Sequence, residues 1–233
     1  MNRRIVLKAM TSGLALASEQ FLLRRGSAQA ITGSPGLLTV HRGSRISISL
    51  FRSDQSLQPS LIKSLAARFV ATPGRGGSAA LLSSIDGARA VVYRNGYPGP
   101  ENMAIEGKPK IDSSFETHEY ELIYLSERIG TNELSITTAA SPITLINAFS
   151  TSPDRQQQLV DTWIKNAPDA EVFSGFQAAA LHRSKDGMSV VNLAQWESQE
   201  AWMTMAKALA DKFKEKNPFG QADPHLYRTV FVS

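Results

Sequence analysis

Four side chains near the C-terminal end are of types that can donate, accept or move a proton. Asn192 and Trp196 stand four residues apart in the apolar run Met188 to Trp196, and strand alternation puts positions i and i+4 on one face. A carboxamide offers both a donor and an acceptor, and an indole offers an N–H donor. His182 and His225 bracket this run; histidine titrates near neutrality, so either could act as a base. Each has a structural reading too. A Trp ending a core strand packs, a buried Asn can satisfy backbone groups, and a strand-end His can make a structural hydrogen bond. Other chemistries are absent from the sequence. The chain has no cysteine, so disulfides, thiolate metal sites and a cysteine nucleophile are excluded. It has no Gly-rich phosphate fingerprint and no His/carboxylate cluster at metal-ligand spacing, so neither a dinucleotide nor a metal is implied.

The elements around these residues occur twice. Ser184-Lys185-Asp186-Gly187 is followed by an apolar run and then by His225-Leu226-Tyr227-Arg228. About a hundred residues earlier, Ser84-Ile85-Asp86-Gly87 is followed by Ala88 to Tyr97 and then by His118-Glu119-Tyr120-Glu121. That period is too long for a solenoid and fits two copies of a small domain. In the second copy, Ile143 to Phe149 reads as a strand, Ser152-Pro153 as a helix start, and Ala167-Pro168 as its stop. Gly175 to His182 and Ser189 to Trp196 read as a hairpin about Asp186-Gly187. A longer helix follows from Gln199 to Lys216, with Trp202, Met205, Ala206, Leu209 and Phe213 as its apolar stripe. The order β-α-β-β-α-β is the ferredoxin-like unit. In the first copy, strands at 46–51, 79–83, 89–93 and 119–125 and a helix opening at Gln58-Pro59-Ser60 follow the same order, but a Gly/Pro loop (96–100) stands where the second helix belongs. Such a unit leaves one sheet face bare. The expected fold is therefore α+β: two tandem ferredoxin-like domains packed sheet face to sheet face as an internal pseudo-dimeric α/β barrel. The expected boundaries are 43–125 for a degenerate first domain, 126–141 for a polar linker and 142–233 for the second. Residues 31–42 read as a lead-in with little periodicity.

The chain of 233 residues is 42% apolar, enough to bury a core. Its basic balance is local. Five basic residues (Arg3, Arg4, Lys8, Arg24, Arg25) and one acid (Glu19) lie in the first thirty positions, and the remaining 20 basic and 20 acidic residues cancel. A neutral body has no electrostatic footprint for nucleic acid, and no apolar run approaches the ~18 residues of a membrane span. Residues 1–30 read as a leader. Asn2-Arg3-Arg4-Ile5-Val6-Leu7-Lys8 resembles the twin-arginine export motif, and Ala28-Gln29-Ala30 is a small-x-small cleavage site. The expected location is periplasmic or secreted by the twin-arginine route, the alternative being a cytoplasmic protein with an uncleaved leader.

Leu181-His182-Arg183-Ser184-Lys185-Asp186-Gly187, the run Val190 to Ser198, the closing Asp223-Pro224-His225-Leu226-Tyr227 and the opening Thr144-Leu145-Ile146-Asn147-Ala148-Phe149 resemble the antibiotic biosynthesis monooxygenase family. The resemblance covers essentially all of 142–233. Residues 43–125 share it only through the repeat, with Gly96-Tyr97 where the second copy has Gln195-Trp196. It implies a dimeric ferredoxin-like barrel, some members of which oxidise polycyclic phenols or anthrones to quinones with molecular oxygen, using no flavin and no metal. It makes Asn192 and Trp196 the catalytic candidates, one steadying an oxyanion and the other hydrogen-bonding a substrate carbonyl. Trp202, Asn147, His182, His225 and Tyr227 become substrate-binding candidates. Trp202 stands where such oxygenases often have Tyr, which puts direct proton transfer there in doubt. A related subgroup degrades haem with an Asn, a Trp and a helical His. Asn147 and Trp196 match the first two, but the helix from Gln199 has no histidine, so haem cleavage is disfavoured. The expected function is a cofactor-independent monooxygenase of an aromatic, phenolic or quinol-type molecule, with that molecule and O2 as partners and a further homo-oligomer left open. The alternative is a non-catalytic binding or structural protein that keeps the fold.

Overall fold

Alternating apolar residues and two Asp-Gly turns organise the chain into strands that close on themselves. The computed structural model describes residues 36–71, 77–96, 115–126, 133–139, 142–210 and 219–233. The leader (1–30), the loop from Tyr97, parts of the 126–141 stretch and the end of the long second helix lie outside the described residues. The first half contains β1 (Leu37–His41), β2 (Arg45–Arg52), α1 (Gln58–Ala71), β3 (Ser78–Ser84), β4 (Arg89–Asn95) and β5 (Phe115–Leu125). There follow β6 (Glu133–Thr137), β7 (Ile143–Ser150), α2 (Gln156–Glu171), β8 (Phe176–Ser184), β9 (Ser189–Trp196), α3 (Gln199–Ala208) and β10 (Gln221–Val232). No helix among the described residues is long and apolar enough to cross a membrane.

Eight strands form one closed antiparallel barrel in the order β10-β3-β4-β2-β5-β8-β9-β7. Strands β2–β5 and β7–β10 each follow the ferredoxin-like order, second-third-first-fourth. The two runs face each other across a shared core, and their edges also hydrogen-bond. β5 pairs with β8 and β10 with β3, each seam carrying one irregularity, at Leu122/Tyr124 and Thr229/Phe231. Closure leaves the barrel no free edge.

Alternation sorts each strand between inside and outside. Ile46, Ile48, Val91, Tyr93, Ile146, Val191 and Leu193 join the barrel core. Phe51, Val92, Phe149, Val190, Ala194 and Trp196 face outward to the helix layer. The Asp-Gly hairpins are built alike. Gly87 and Gly187 take φ of 77° and 80°, which glycine adopts without steric cost. Asp86 Oδ1 accepts from Ala88 N (3.0 Å) and Ser84 Oγ (2.7 Å), and Asp186 Oδ1 from Met188 N (2.9 Å) and Ser184 Oγ (2.7 Å). The first residue of each preceding helix ties onto its hairpin. Gln58 Nε2 donates to Ser84 O and Arg89 O (3.0 and 2.8 Å), and Gln156 Nε2 to Ser184 O and Ser189 O (3.0 Å each).

Three expectations need correction. The lead-in and the linker each contain a strand: β1 pairs with β6 in a two-stranded ribbon. Leu38, Val40, Leu134 and Ile136 of this ribbon are fully buried against the barrel core. Asn95 Nδ2 donates to Thr39 O (2.7 Å) and Gln195 Nε2 to Ser135 O (2.8 Å), holding one ribbon strand from each half. The helix expected to stop at Pro168 continues to Glu171. Proline fits the helical φ, and its missing N–H forfeits only one bond in the final turn. Ser152 does not cap that helix with its side chain. It opens a preceding turn, its carbonyl accepting from Arg155 N and Gln156 N (2.9 Å each), and the helix begins at Gln156.

Candidate functional site

The outward faces of β7 and β9 place three polar side chains under the helices. Asn147 and Asn192 are directly opposed Cα partners, and Trp196 follows at the end of β9. The pairing is enforced from both ends: Ile146 and Ala148 must enter the barrel core, as must Val191 and Leu193, so Asn147 and Asn192 turn out together. Trp196 is 1% exposed, stacks edge-on against Phe176 (centroids 5.3 Å apart), and packs with Ala179, Ala194 and Met205. Trp202, on α3, packs against this cluster, as does Trp163 of α2. The α3 helix is started by Ser198, whose Oγ accepts from Ala201 N (3.1 Å).

The hydrogen-bond accounting of this layer does not close. Asn147 Oδ1, Asn192 Oδ1 and Trp196 Nε1 are buried atoms with no partner. So is Gln199 Oε1, at the first residue of α3. Ser53 Oγ and Thr144 Oγ1 complete the unpartnered set among the described residues, and Thr144 turns to the barrel side, opposite Gln195. A buried polar group left unpaired costs about 1–3 kcal/mol, so several together on one face call for an occupant. Hydrogen-bonding groups on one sheet face beside the Trp196, Phe176, Met205 and Ala179 cluster are of the kind that suits a flat, largely apolar molecule carrying oxygen atoms.

The other candidates lie elsewhere. His182 and Tyr227 face the barrel interior, on the sheet face opposite Asn192. His182 is fully buried. Its Nδ1 is 3.1 Å from Val191 O and its Nε2 2.9 Å from Tyr93 Oη. A carbonyl only accepts, so Nδ1 carries the proton, and burial lowers the pKa to about 4, which keeps the ring neutral. Nε2 then accepts from the Tyr93 hydroxyl. His225 sits at the β10–β3 seam, with Nδ1 2.6 Å from Asp86 Oδ2 and Nε2 3.0 Å from Asp223 Oδ1. Both nitrogens donate to carboxylates, so the ring is an imidazolium. Burial opposes this charge, but the bonds and charges of Asp223 and Asp86 outweigh it and raise the pKa to about 9. Asp223 also receives Arg89 (Nε–Oδ2 3.1 Å), and its pKa falls to about 2 through His225, against burial. Neither histidine accompanies the Asn/Trp group. Sequence reading did not single out Gln199, whose only signal is its place three residues beyond Trp196, nor His118, which bonds Asp186 Oδ2 through Nδ1 at 2.6 Å across the other seam. Among the described residues no group of three acidic or His side chains is placed to hold a metal ion.

Comparison with known proteins bears on the half that holds this layer. Residues 142–208 match the family model described as antibiotic biosynthesis monooxygenase, so the resemblance read in the sequence holds over these positions. A curated relative, tetracenomycin-F1 monooxygenase of Streptomyces glaucescens, is 38% identical over 72 residues. The match spans 30% of this chain and 64% of the relative's length. Among solved structures, an anthrone oxidase-like protein superposes with a TM-score of 0.69 at 18% identity, over 84% of this chain and 95% of its own. A Fusobacterium nucleatum protein described as a monooxygenase superposes at 0.54 with 6% identity, over 82% of this chain and 94% of its own. At these identities the two structures speak for the fold alone.

Proposed function

We propose that the chain is a monooxygenase that oxidises an aromatic, phenolic or quinol-type small molecule with O2, without flavin or metal, in the layer between β7/β9 and α3. The observation that carries this reading is the set of unpartnered atoms on Asn147, Asn192 and Trp196, which share one sheet face, with Trp202 packed against the Trp196 cluster. The family match over 142–208 and the curated monooxygenase relative support the reaction class.

The chemistry asks little of the protein. A deprotonated anthrone or phenol is electron-rich enough to pass one electron to O2, giving a substrate radical and superoxide. Their recombination forms a C–O bond, and loss of water from the hydroperoxide leaves the carbonyl. A methylene and O2 thus give a ketone and water. The protein orients the ring and stabilises the oxyanion. The Trp196 N–H donates to the developing oxygen anion. The carboxamides of Asn147 and Asn192 can each present a donor or an acceptor, since either end can turn to the ligand. None of these three side chains is a base at neutral pH, so the proton leaves to water or to a group on the substrate itself.

We further propose that residues 43–125 and 142–233 are tandem copies of one domain forming an internal pseudo-dimer, in which the first is a structural partner and the second holds the site. Residues 1–30 are proposed as an export leader. Oxygen uptake by metal-free, flavin-free protein against anthrones, naphthols and hydroquinones tests the activity. Saturable uptake with quinone formation, abolished in an Asn192→Ala, Trp196→Phe variant that still folds, is expected. Unchanged turnover in that variant sinks the site assignment.

A further inference from the structure

We propose that Gln199 is a fourth polar contact of this site, its Oε1 accepting a hydrogen bond from a hydroxyl group on the bound aromatic molecule. The inference rests on the reading of the Asn/Trp layer as a ligand site. It adds a residue and a selectivity: a preference for ligands that bring a hydroxyl donor over otherwise similar ones that do not.

Four observations lead to it. Gln199 Oε1 is buried and unpartnered, as are the polar atoms of Asn147, Asn192 and Trp196. The usual work of a polar side chain at a helix start is already done, because Ser198 Oγ takes the first-turn donor Ala201 N at 3.1 Å. The amide's other end is directed along the helix: Nε2 lies 4.0 Å from Met203 Sδ, one turn on. That contact leaves the oxygen as the free end. Gln199 is also i−3 to Trp202, so the two share one side of α3, and Trp202 packs against the Trp196 cluster. With an N–H donor on Trp196 and an acceptor on Gln199, the site can bind the oxygen of a ligand and the hydrogen of a ligand hydroxyl at once. A hydrogen-bonding site rejects the analogue lacking its partner group, because the buried acceptor is then left unpaired.

The test is calorimetric binding of two probes, 1-naphthol and 1-methoxynaphthalene, to the full chain and to Gln199→Leu and Gln199→Glu. Wild type is expected to prefer the naphthol by about tenfold. Gln199→Leu should lose that preference by binding naphthol more weakly, with the methoxy probe unchanged. Gln199→Glu keeps an acceptor and should retain the preference, which separates hydrogen bonding from packing and serves if the Leu variant folds poorly. Equal naphthol affinity in wild type and Gln199→Leu overturns the role of Gln199 while leaving the site reading intact. Failure of wild type to bind either probe, or naphthol binding unaffected by the Asn192→Ala, Trp196→Phe change, overturns the site reading and this proposal with it.

Discussion

The outward faces of β2/β4 and β7/β9 have the same backbone and different chemistry. Val92 lies six residues past Asp86, as Asn192 does past Asp186, and its cross-strand partner is Ser49 where Asn192 has Asn147. Counted from the two Asp-Gly turns, Gly96 stands at the place of Trp196, one residue before the Tyr97 that the sequence comparison set there. Ser49 Oγ accepts from Thr117 Oγ1 at 2.8 Å, and Val92 packs among Phe51, Leu61 and Leu81. Among the described residues the first half leaves one such atom, Ser53 Oγ just past the end of β2, whereas the other face is left open at the two asparagines and the indole. The scaffold tolerates both, so the open face reflects the identity of three side chains and not the fold. An unsatisfied layer is retained at a cost in stability, as expected where a ligand completes it.

Four predictions break or sharpen that comparison. The largest effect belongs to the helix anchors. Gln156→Ala strands buried carbonyls of Ser184 and Ser189 and should cost about 3 kcal/mol in chemical denaturation. Gln58→Ala, at a half-buried copy of the same joint, should cost less. Equal losses mean the two halves carry stability evenly.

The turns come next. A Cβ on Gly187 would lie 2.9 Å from Pro153 backbone, whereas on Gly87 the nearest atom is the Gln55 side chain at 3.2 Å. Both alanine variants pay about 1–2 kcal/mol for the left-handed conformation. Gly187→Ala should pay more, read as a lower melting temperature than that of Gly87→Ala.

A reciprocal exchange addresses the faces themselves. Val92→Asn puts an unpartnered amide into a closed face and should destabilise by about 1–3 kcal/mol. Asn192→Val removes one from the open face and should leave the ligand-free protein as stable as before, or more so. A loss of stability in Asn192→Val equal to that of Val92→Asn means Asn192 is structural.

The seams give the smallest effect, a pH dependence. The pKa of His225 is raised from 6.5 to about 9 in the folded protein, so folding favours its protonated form. Its contribution is complete below pH 6.5 and is lost as pH rises toward 9. His225→Asn should flatten the alkaline limb of stability against pH. The buried His182 has the opposite sign. With its pKa lowered to about 4, its contribution is present above pH 6.5 and lost as pH falls toward 4. An alkaline limb unchanged in His225→Asn contradicts the ion cluster with Asp86 and Asp223.

Much of this was legible in the chain. Alternation through Ser189–Trp196 put Asn192 and Trp196 on one face, whereas Asn147 entered only through the family resemblance, and its place opposite Asn192 is set by a strand register that the sequence does not display. The β1–β6 ribbon was missed because its strands have five residues each and only two inward positions apiece, Leu38/Val40 and Leu134/Ile136, set in polar surroundings. For His225 the sequence left a base and a structural hydrogen bond both open; its partners are Asp223, two residues away, and Asp86, 139 residues away, a contact that only barrel closure brings about. Gln199 carried no pattern beyond its place three residues past Trp196. A single Gln at a helix start looks like surface until its oxygen is found buried.

The most direct measurement is oxygen uptake by wild type beside the Asn192→Ala, Trp196→Phe variant, both free of metal and flavin, with melting temperatures recorded for each. The account predicts saturable uptake and quinone formation by wild type, none by the variant, and a folded variant. A folded variant that consumes oxygen at the wild-type rate contradicts it.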